Sequence, residues 1–482
     1  MDFVFADNPQ GGGDGRGSDV SESRPWLLHT AKPKTMTSSF TRAADSSLLL
    51  EAVASEANLA RALLAVVRNK GAPGADGQTV EEAEAHAPRL LAALRRDLLA
   101  ERFRPGDIRR VWIPKPGGGQ RGLGIPNVVT RVVQQAVLQI LEPIFEPTFH
   151  PSSHGFRRAR GAHTAIAEAT EHLEGGFRTV VDLDLAQFFE RVHHQRLLDR
   201  ISQRLTDRRI LNLIRGMLKA AVVMPDGTRI DVVEGTPQGG PLSPFLSNIV
   251  LDEFDQELAR RGLGFVRYAD DVNVFVRSRR AGIRVMSSLR RFLEQRLRLH
   301  LNEAKSAIRS PEQVQFLGFC FKCKGGASPS IGVALAGKAK RRLMATVREM
   351  TPPNWGRSIT TCMEELRRYL NGWMAYYRLC TSEAVPEFGQ IDAHIRRRIR
   401  AIIVRQKKRP RFLFRFLMSR GVSRNAAAGT AFSGKGSWAR SNRPAMQKAF
   451  PPAWFTGRIV SLRARWNELN PPRVNDQLML AL

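Results

Sequence analysis

Two aspartates stand side by side in Phe265-Val-Arg-Tyr-Ala-Asp-Asp-Val-Asn-Val-Phe-Val276, and adjacent carboxylates can bind a hard divalent cation. Val266 and Tyr268 before them, and Val272, Val274 and Val276 after, keep a spacing of two. That pattern predicts a β-hairpin with Asp270 and Asp271 at its tip. Aspartate also suits ordinary turns, so the pair alone does not decide. A second acidic segment, Val181-Asp-Leu-Asp-Leu185, puts Asp182 and Asp184 on one strand face and apolar residues on the other. An acid at the end of a buried strand needs a cation beside it. Asp184 and Asp270 on neighbouring strands can hold two Mg²⁺ ions roughly 3.5–4 Å apart, an arrangement that serves in-line phosphoryl transfer. One ion then activates an attacking hydroxyl and the other stabilises the leaving group. Strand alternation turns Asp271 the other way, so it is expected to be the weaker or indirect ligand.

Other segments could complete such a site. Gly235-Thr-Pro-Gln-Gly-Gly-Pro-Leu-Ser-Pro244 fixes a loop before a helix. Its glycines, Gly239 among them, allow close backbone approach, and Gln238 offers a neutral donor and acceptor. A plain helix-entry turn would not need two consecutive glycines. Lys115 and Arg121 flank a glycine turn suited to closing on a triphosphate, although the same charges in isolation fit a solvated hairpin better. Gly429-Thr-Ala-Phe-Ser-Gly-Lys435 begins like a phosphate-binding loop, but Gly436 stands where a Mg²⁺-binding hydroxyl is required. His163, His193 and His194 read as packing or surface residues.

The elements that must position these residues follow from periodicity. Helices are predicted up to Val67, over 90–99, over 131–141 with Pro143 as terminator, over 186–198, over 243–261 with Ser243 as N-cap and Pro244 at the first position, and over 281–297. Strands are predicted on both sides of the Lys115–Arg121 turn, over 179–185, and as a pair around Phe316–Phe319. From Lys338 onward the pattern turns helical and more basic.

Across 482 residues, 75 Lys and Arg against 45 Asp and Glu leave a net charge of +30. Such an excess implies a polyanionic partner bound through its phosphates. No apolar run is long enough to span a membrane, so nucleic acid is expected and membrane is not. Four cysteines in a chain this size do not make a disulfide framework, which points to a reducing cytoplasm. Cys320 and Cys323 form one CxxC without a second pair and read as small residues in and beside a strand rather than zinc ligands. The acidic, glycine-rich first residues are unlike a secretory signal and read as a disordered tail, with Met36 an alternative start.

Taken together, the blocks RVWIPKPGGGQRGLGIP, SSHGFRRARGAH, VDLDLAQFFERVHH, EGTPQGGPLSPFLSNIV, RYADD, LNEAKS and FLGF resemble, in order, those of group II intron-encoded reverse transcriptases. NWGRSITTCMEELRRYLNGWMAYYRL is similar to that family's maturase domain. The resemblance implies an α+β right-hand polymerase: a tail over 1–45, fingers over 46–176, a palm with an antiparallel sheet over 177–335, a helical thumb and maturase domain over 336–410, and a basic nucleic-acid-binding region over 411–482. It implies an RNA-directed DNA polymerase using two Mg²⁺ ions and dNTPs, with intron RNA and a DNA target and primer as partners. Splicing assistance and retrohoming would follow, in a bacterial-type cytoplasm acting at the nucleoid, as monomer or dimer. By motif, Asp184, Asp270 and Asp271 match the metal-binding triad. Phe188 matches the residue that disfavours a 2′-hydroxyl, Lys115, Arg121, Gln238 and Lys305 match nucleotide contacts, and Phe316, Leu317 and Gly318, with Gly239, match primer and template contacts. His154, the Arg158-Ala159 pair, Glu190 and Gly122 depart from the family's usual residues. Without paired CxxC motifs after the maturase region, the chain resembles the endonuclease-lacking branch.

The segment His394–Arg409 predicts a helix with Ile395, Ile399, Ile402 and Ile403 buried. Its cationic face, Arg396, Arg397, Arg400, Lys407, Lys408 and Arg409, is expected to bind RNA. Downstream, Phe412, Phe414, Phe416, Trp438 and Trp454 are interleaved with arginines, a composition that stacks on unpaired bases or builds a small core equally well. A non-catalytic RNA scaffold of the same fold is the competing reading; retention of all three acids disfavours it. A reverse transcriptase of a retron, diversity-generating or defence system is disfavoured by the maturase-like stretch.

Overall fold

The computed structural model describes residues 48–114, 118–324, 330–354 and 356–471. The expected tail over 1–45, Met36, Lys115 and the end of the basic region over 472–482 lie outside the described residues. The strands are β1 (Ile108–Pro114), β2 (Gln120–Ile125), β3 (Thr179–Asp184), β4 (Val222–Val223), β5 (Arg229–Ile230), β6 (Gly264–Tyr268), β7 (Asp271–Val276), β8 (Ala307–Arg309), β9 (Phe319–Lys324) and β10 (Ser330–Leu335). The described residues form two compact units, one drawn from 48–172 and 177–308, the other from 173–176 and 309–471.

In the first unit, the helices Glu56–Arg68, Ala87–Leu99 and Val128–Phe145 bury Leu59, Leu63, Leu94, Val132 and Val133 together. Ser55 starts the first of them, its hydroxyl accepting from the Asn58 amide. Pro143 does not end its helix, which continues to Phe145. So near the C-terminus the proline removes one amide donor, and the helix passes into a 3₁₀ turn over Glu146–Thr148. One four-stranded sheet runs β2-β1-β4-β5, with β1 and β2 antiparallel as the alternation over 108–125 predicts.

The other sheet of this unit runs β6-β7-β3-β8, and β7 is antiparallel to both β6 and β3. The register pairs Val181 with Val274 and Leu183 with Val272, all buried. The helix Arg279–Phe292, capped by Ser278, packs so tightly on this face that a Cβ on Gly282 would meet Val181, Thr179 and Ile308. Its predicted end at Leu297 is reached through a wider π turn, Leu293–Leu297.

Two helix predictions are corrected. Residues 186–198 are not one helix. Gln187 is left-handed at φ 50°, Phe188–Glu190 form a 3₁₀ turn, and a helix runs only over His194–Ser202. Consecutive Phe188 and Phe189 are both buried, and the Phe189 and Val192 carbonyls accept from the Thr236 and Gly235 amides instead of helical ones. Ser243 is the first helical residue of Ser243–Arg260 rather than its cap; Leu242 takes that position without a side-chain bond.

In the second unit, β9 and β10 form a hairpin followed by the helices Gly337–Met350, Ile359–Tyr377, Val385–Gln406 and Pro410–Ser419. The strand pair expected around Phe316–Phe319 is present in part: the segment is a tight turn closed by an antiparallel bridge between Phe316 and Phe319, and β9 begins at Phe319. Leu317 and Gly318 have φ 51° and 84°, and Phe316 and Phe319 exchange backbone bonds of 3.0 and 2.8 Å. Cys320 is buried on β9, its thiol donating to the Leu335 carbonyl at 3.5 Å, and Cys323 lies on the same strand. Ile395, Ile399, Ile402 and Ile403 are buried as the periodicity predicts, on a helix that starts earlier, at Val385. Asp392 on that helix accepts from the Ser461 hydroxyl and the Leu462 and Arg463 amides, which fastens the Leu462–Leu469 helix.

Candidate active site

Asp184 is the last residue of β3, and its register partner on β7 is Asp271, the first residue of that strand. Asp270 precedes β7 in the turn after Ala269, so turn geometry rather than strand alternation separates the two adjacent acids. Two residues further from this acidic end, Asp182 pairs with Asn273. Burial, followed by the neighbouring Asp184 carboxylate, pushes Asp270 up to about 6. Burial and the charges of Asp182 and Asp270 hold Asp271 well above the usual carboxylate range. Asp184 is engaged by Lys305, whose ammonium lies 3.1 and 3.3 Å from its two oxygens, and by the Asn302 amide at 3.0 Å.

These residues suit a divalent cation in their chemistry. Their donors are hard carboxylate oxygens, and the burial and neighbouring carboxylates that raise Asp270 and Asp271 impose a cost that a cation would relieve. Asn273, only 2 % exposed, has neither amide atom hydrogen-bonded among the described residues, leaving an unmet polar group beside the acids. The cage is not assembled, however. Among the described residues no three histidine, cysteine or acidic side chains are placed to hold a metal.

The glycine-rich loop and the first sheet meet beside this site. Arg121 on β2 donates to the Gln238 side chain at 3.0 Å, and the Gly124 amide donates to the Gln238 carbonyl at 2.9 Å. The Arg121 charge counters the rise at Asp270. Gly239 has φ 150°, and a Cβ there would collide with the Gly124 carbonyl. Phe188 is 2 % exposed, edge-on to Phe189 with ring centres 5.3 Å apart.

Sequence reasoning missed a buried support. Arg267 on β6 is fully buried and donates to Asp255, to Asn248 and to the Ala269 carbonyl. Its signal was a charged residue flanked by Val266 and Tyr268 in a strand otherwise apolar. His154 is buried too, with one ring nitrogen 2.8 Å from the Thr164 hydroxyl and the other 2.8 Å from Glu168. That pairing gives the departure from the family residue a partner of its own.

In the second unit, Phe316 is buried, the Leu317 carbonyl accepts from the Tyr376 hydroxyl at 2.9 Å, and a Cβ on Gly318 would strike the Tyr377 hydroxyl. Lys408 and Arg409 are exposed and Arg396 half-buried. Arg397 stacks 4.0 Å above Trp438, and Lys407 sits 4.3 Å from the Phe416 ring. Arg400 is corrected. It is 7 % exposed and donates to the Phe450 carbonyl, because its helical position falls beside buried Ile399 and Ile403. Of the aromatics, Phe412 is exposed, while Phe414, Phe416 and Trp454 pack on Phe432, Phe450 and Phe455.

The reverse transcriptase (RNA-dependent DNA polymerase) family matches residues 113–321, and the group II intron, maturase-specific domain matches residues 340–421. The class is therefore a reverse transcriptase domain joined to a maturase domain. Protein YkfC of Escherichia coli strain K12 is 32% identical over 353 residues, which is 64% of this chain and 89% of that protein. Group II intron-encoded protein LtrA of Lactococcus lactis subsp. cremoris is 27% identical over 57% of this chain and 56% of its own. A putative COX1/OXI3 intron 1 protein of Saccharomyces cerevisiae is 29% identical over 42% of this chain and 24% of its own. The chain thus spans most of YkfC and about half or less of these two intron proteins. It belongs to the group II intron reverse transcriptase and maturase family, whose enzymes are RNA-directed DNA polymerases.

Proposed function

We propose that this chain copies RNA into DNA by two-metal nucleotidyl transfer, and that its RNA is the group II intron that encodes it. The observation carrying the reading is the placement of Asp184 opposite Asp271 across β3 and β7, with Asp270 in the adjoining turn. Asp184, Asp270 and Asp271 would hold two Mg²⁺ ions, and that pair would supply activation of the primer 3′-hydroxyl and charge stabilisation of the pyrophosphate leaving group. Arg121 and Lys305, with Lys115, bind the triphosphate. Gln238 and Gly239 shape the nucleotide's surroundings, and Phe188 limits room at the 2′ position. Fingers, palm and thumb correspond to 46–176, 177–335 and 336–410. Phe316–Gly318 contact the primer, and Arg396, Arg397, Lys407, Lys408 and Arg409, with the basic region after 411, bind intron RNA to assist splicing and retrohoming.

The test is extension of oligo(dT) on poly(rA) with dTTP and Mg²⁺. The full chain should extend the primer, and Asp270→Ala should abolish extension while leaving the unfolding temperature near wild type. A well-folded preparation that adds no nucleotide would remove the catalytic part of the proposal.

A further inference from the structure

The tip that carries Asp270 is bound from behind by one arginine. Arg267 and Asp255, the latter from the helix Ser243–Arg260, are both 0 % exposed, and two guanidinium nitrogens donate to the two carboxylate oxygens at 2.7 and 2.5 Å. The third nitrogen donates to the Asn248 side-chain oxygen at 2.9 Å and to the Ala269 carbonyl at 3.0 Å. Ala269 is left-handed at φ 58° and immediately precedes Asp270. The Asn248 amide donates in turn to the Gly155 carbonyl at 2.9 Å, and Gly155 lies so close to the tip that a Cβ would collide with the Ala269 amide nitrogen. The Arg267 backbone completes the clamp, its amide donating to Ser152 and its carbonyl accepting from His154, both at 2.8 Å.

A buried ion pair is poor evidence for stability, since apolar residues of similar volume often serve as well. This one spans a helix, a strand, a loop and a strained turn, and all of it converges on the residue before a proposed metal ligand. A left-handed alanine persists only where its surroundings over-determine it. Lysine could not replace the arginine, because one ammonium lacks the planar fork that reaches Asp255, Asn248 and Ala269 together.

We infer that Arg267, with Asp255 and Asn248, is a positioning residue that holds the Ala269 turn and so aims the Asp270 carboxylate. The inference rests on the proposed polymerase reading of that tip. Its test uses the full chain with Arg267→Lys, Asn248→Ala and the paired Arg267→Met, Asp255→Leu variant. Two readouts are needed: the rise in unfolding temperature on titrating Mg²⁺ without substrate, and the Mg²⁺ dependence of dTMP incorporation. Where a variant is folded, kcat should fall and the Mg²⁺ needed for half effect should rise about ten- to hundred-fold, with KM for dTTP little changed. The paired variant should keep the wild-type unfolding temperature yet show the same metal defect. A folded paired variant with wild-type Mg²⁺ dependence in both readouts overturns the inference. Should the Arg267 variants, single or paired, fail to fold, Asn248→Ala decides by the same criterion. Failure of the wild type to extend primers would count against the polymerase reading instead, and the substrate-free Mg²⁺ titration would still judge the positioning role.

Discussion

Asp184 already has a cation against it, the Lys305 ammonium, and this contact sets what a metal must displace. The lysine side chain is 62% exposed, so the pair is worth under about 1 kcal/mol after screening by water. Removing it in Lys305→Ala should therefore tighten Mg²⁺ binding to the substrate-free protein by roughly two- to five-fold, since a tenfold change needs about 1.4 kcal/mol. Calorimetric titration with Mg²⁺ measures this directly, and an unchanged or weaker affinity would show that Lys305 does not compete. At this scale the sequence announced the acids, because a carboxylate at the end of a buried strand has no comfortable structural use and the hairpin-tip pair gains meaning beside it. It did not announce Arg267. A basic residue beside a tyrosine and two aspartates reads as one more charge, and only the packing of the Ser243–Arg260 helix brings Asp255 and Asn248 to it.

Pairs of elements place the groups that single elements cannot. β2 and the glycine-rich loop are joined through Arg121, Gln238 and Gly124, and Gly239 makes the approach possible by lacking a Cβ. Gly239→Ala would put a methyl group against the Gly124 carbonyl at a φ that L-residues rarely adopt. We expect a cost of about 1–3 kcal/mol, as for overpacking elsewhere, with a larger proportional loss in kcat. Urea unfolding and steady-state extension together check this, and wild-type values in both would show that the two segments move apart freely. The hairpins β1–β2 and β6–β7 were legible because alternation is local. The break at Gln187 was not, because a left-handed residue followed by two buried phenylalanines is imposed by the Gly235–Thr236 backbone arriving from a distant part of the chain.

The whole molecule carries a net charge of +30, and that excess governs its affinity for polyanions. Log affinity for a primer–template should fall linearly with log salt, with a slope near −0.9 for each phosphate neutralised, or roughly 10³–10⁵ between 50 and 200 mM for 6–10 contacts. Combining Arg396→Ala, Lys408→Ala and Arg409→Ala should make the slope shallower by up to about 3 without lowering the unfolding temperature. Arg400→Ala, by contrast, should leave the slope alone and lower stability, because that side chain is buried against the Phe450 carbonyl. Filter binding across a salt series separates the two classes of arginine. Residue type and spacing by themselves pointed to a polyanionic partner and to acids at a strand end and a hairpin tip, and the resemblance of ordered blocks to a known family pointed to the polymerase and maturase regions, since all of these are carried by local sequence. Tertiary structure alone decided that Asp184 faces Asp271, that Lys305 and Asn302 hold Asp184, that Arg400 is interior, and that Arg267 supports the tip. Each depends on which distant segments share a surface, and a one-dimensional pattern does not carry that information.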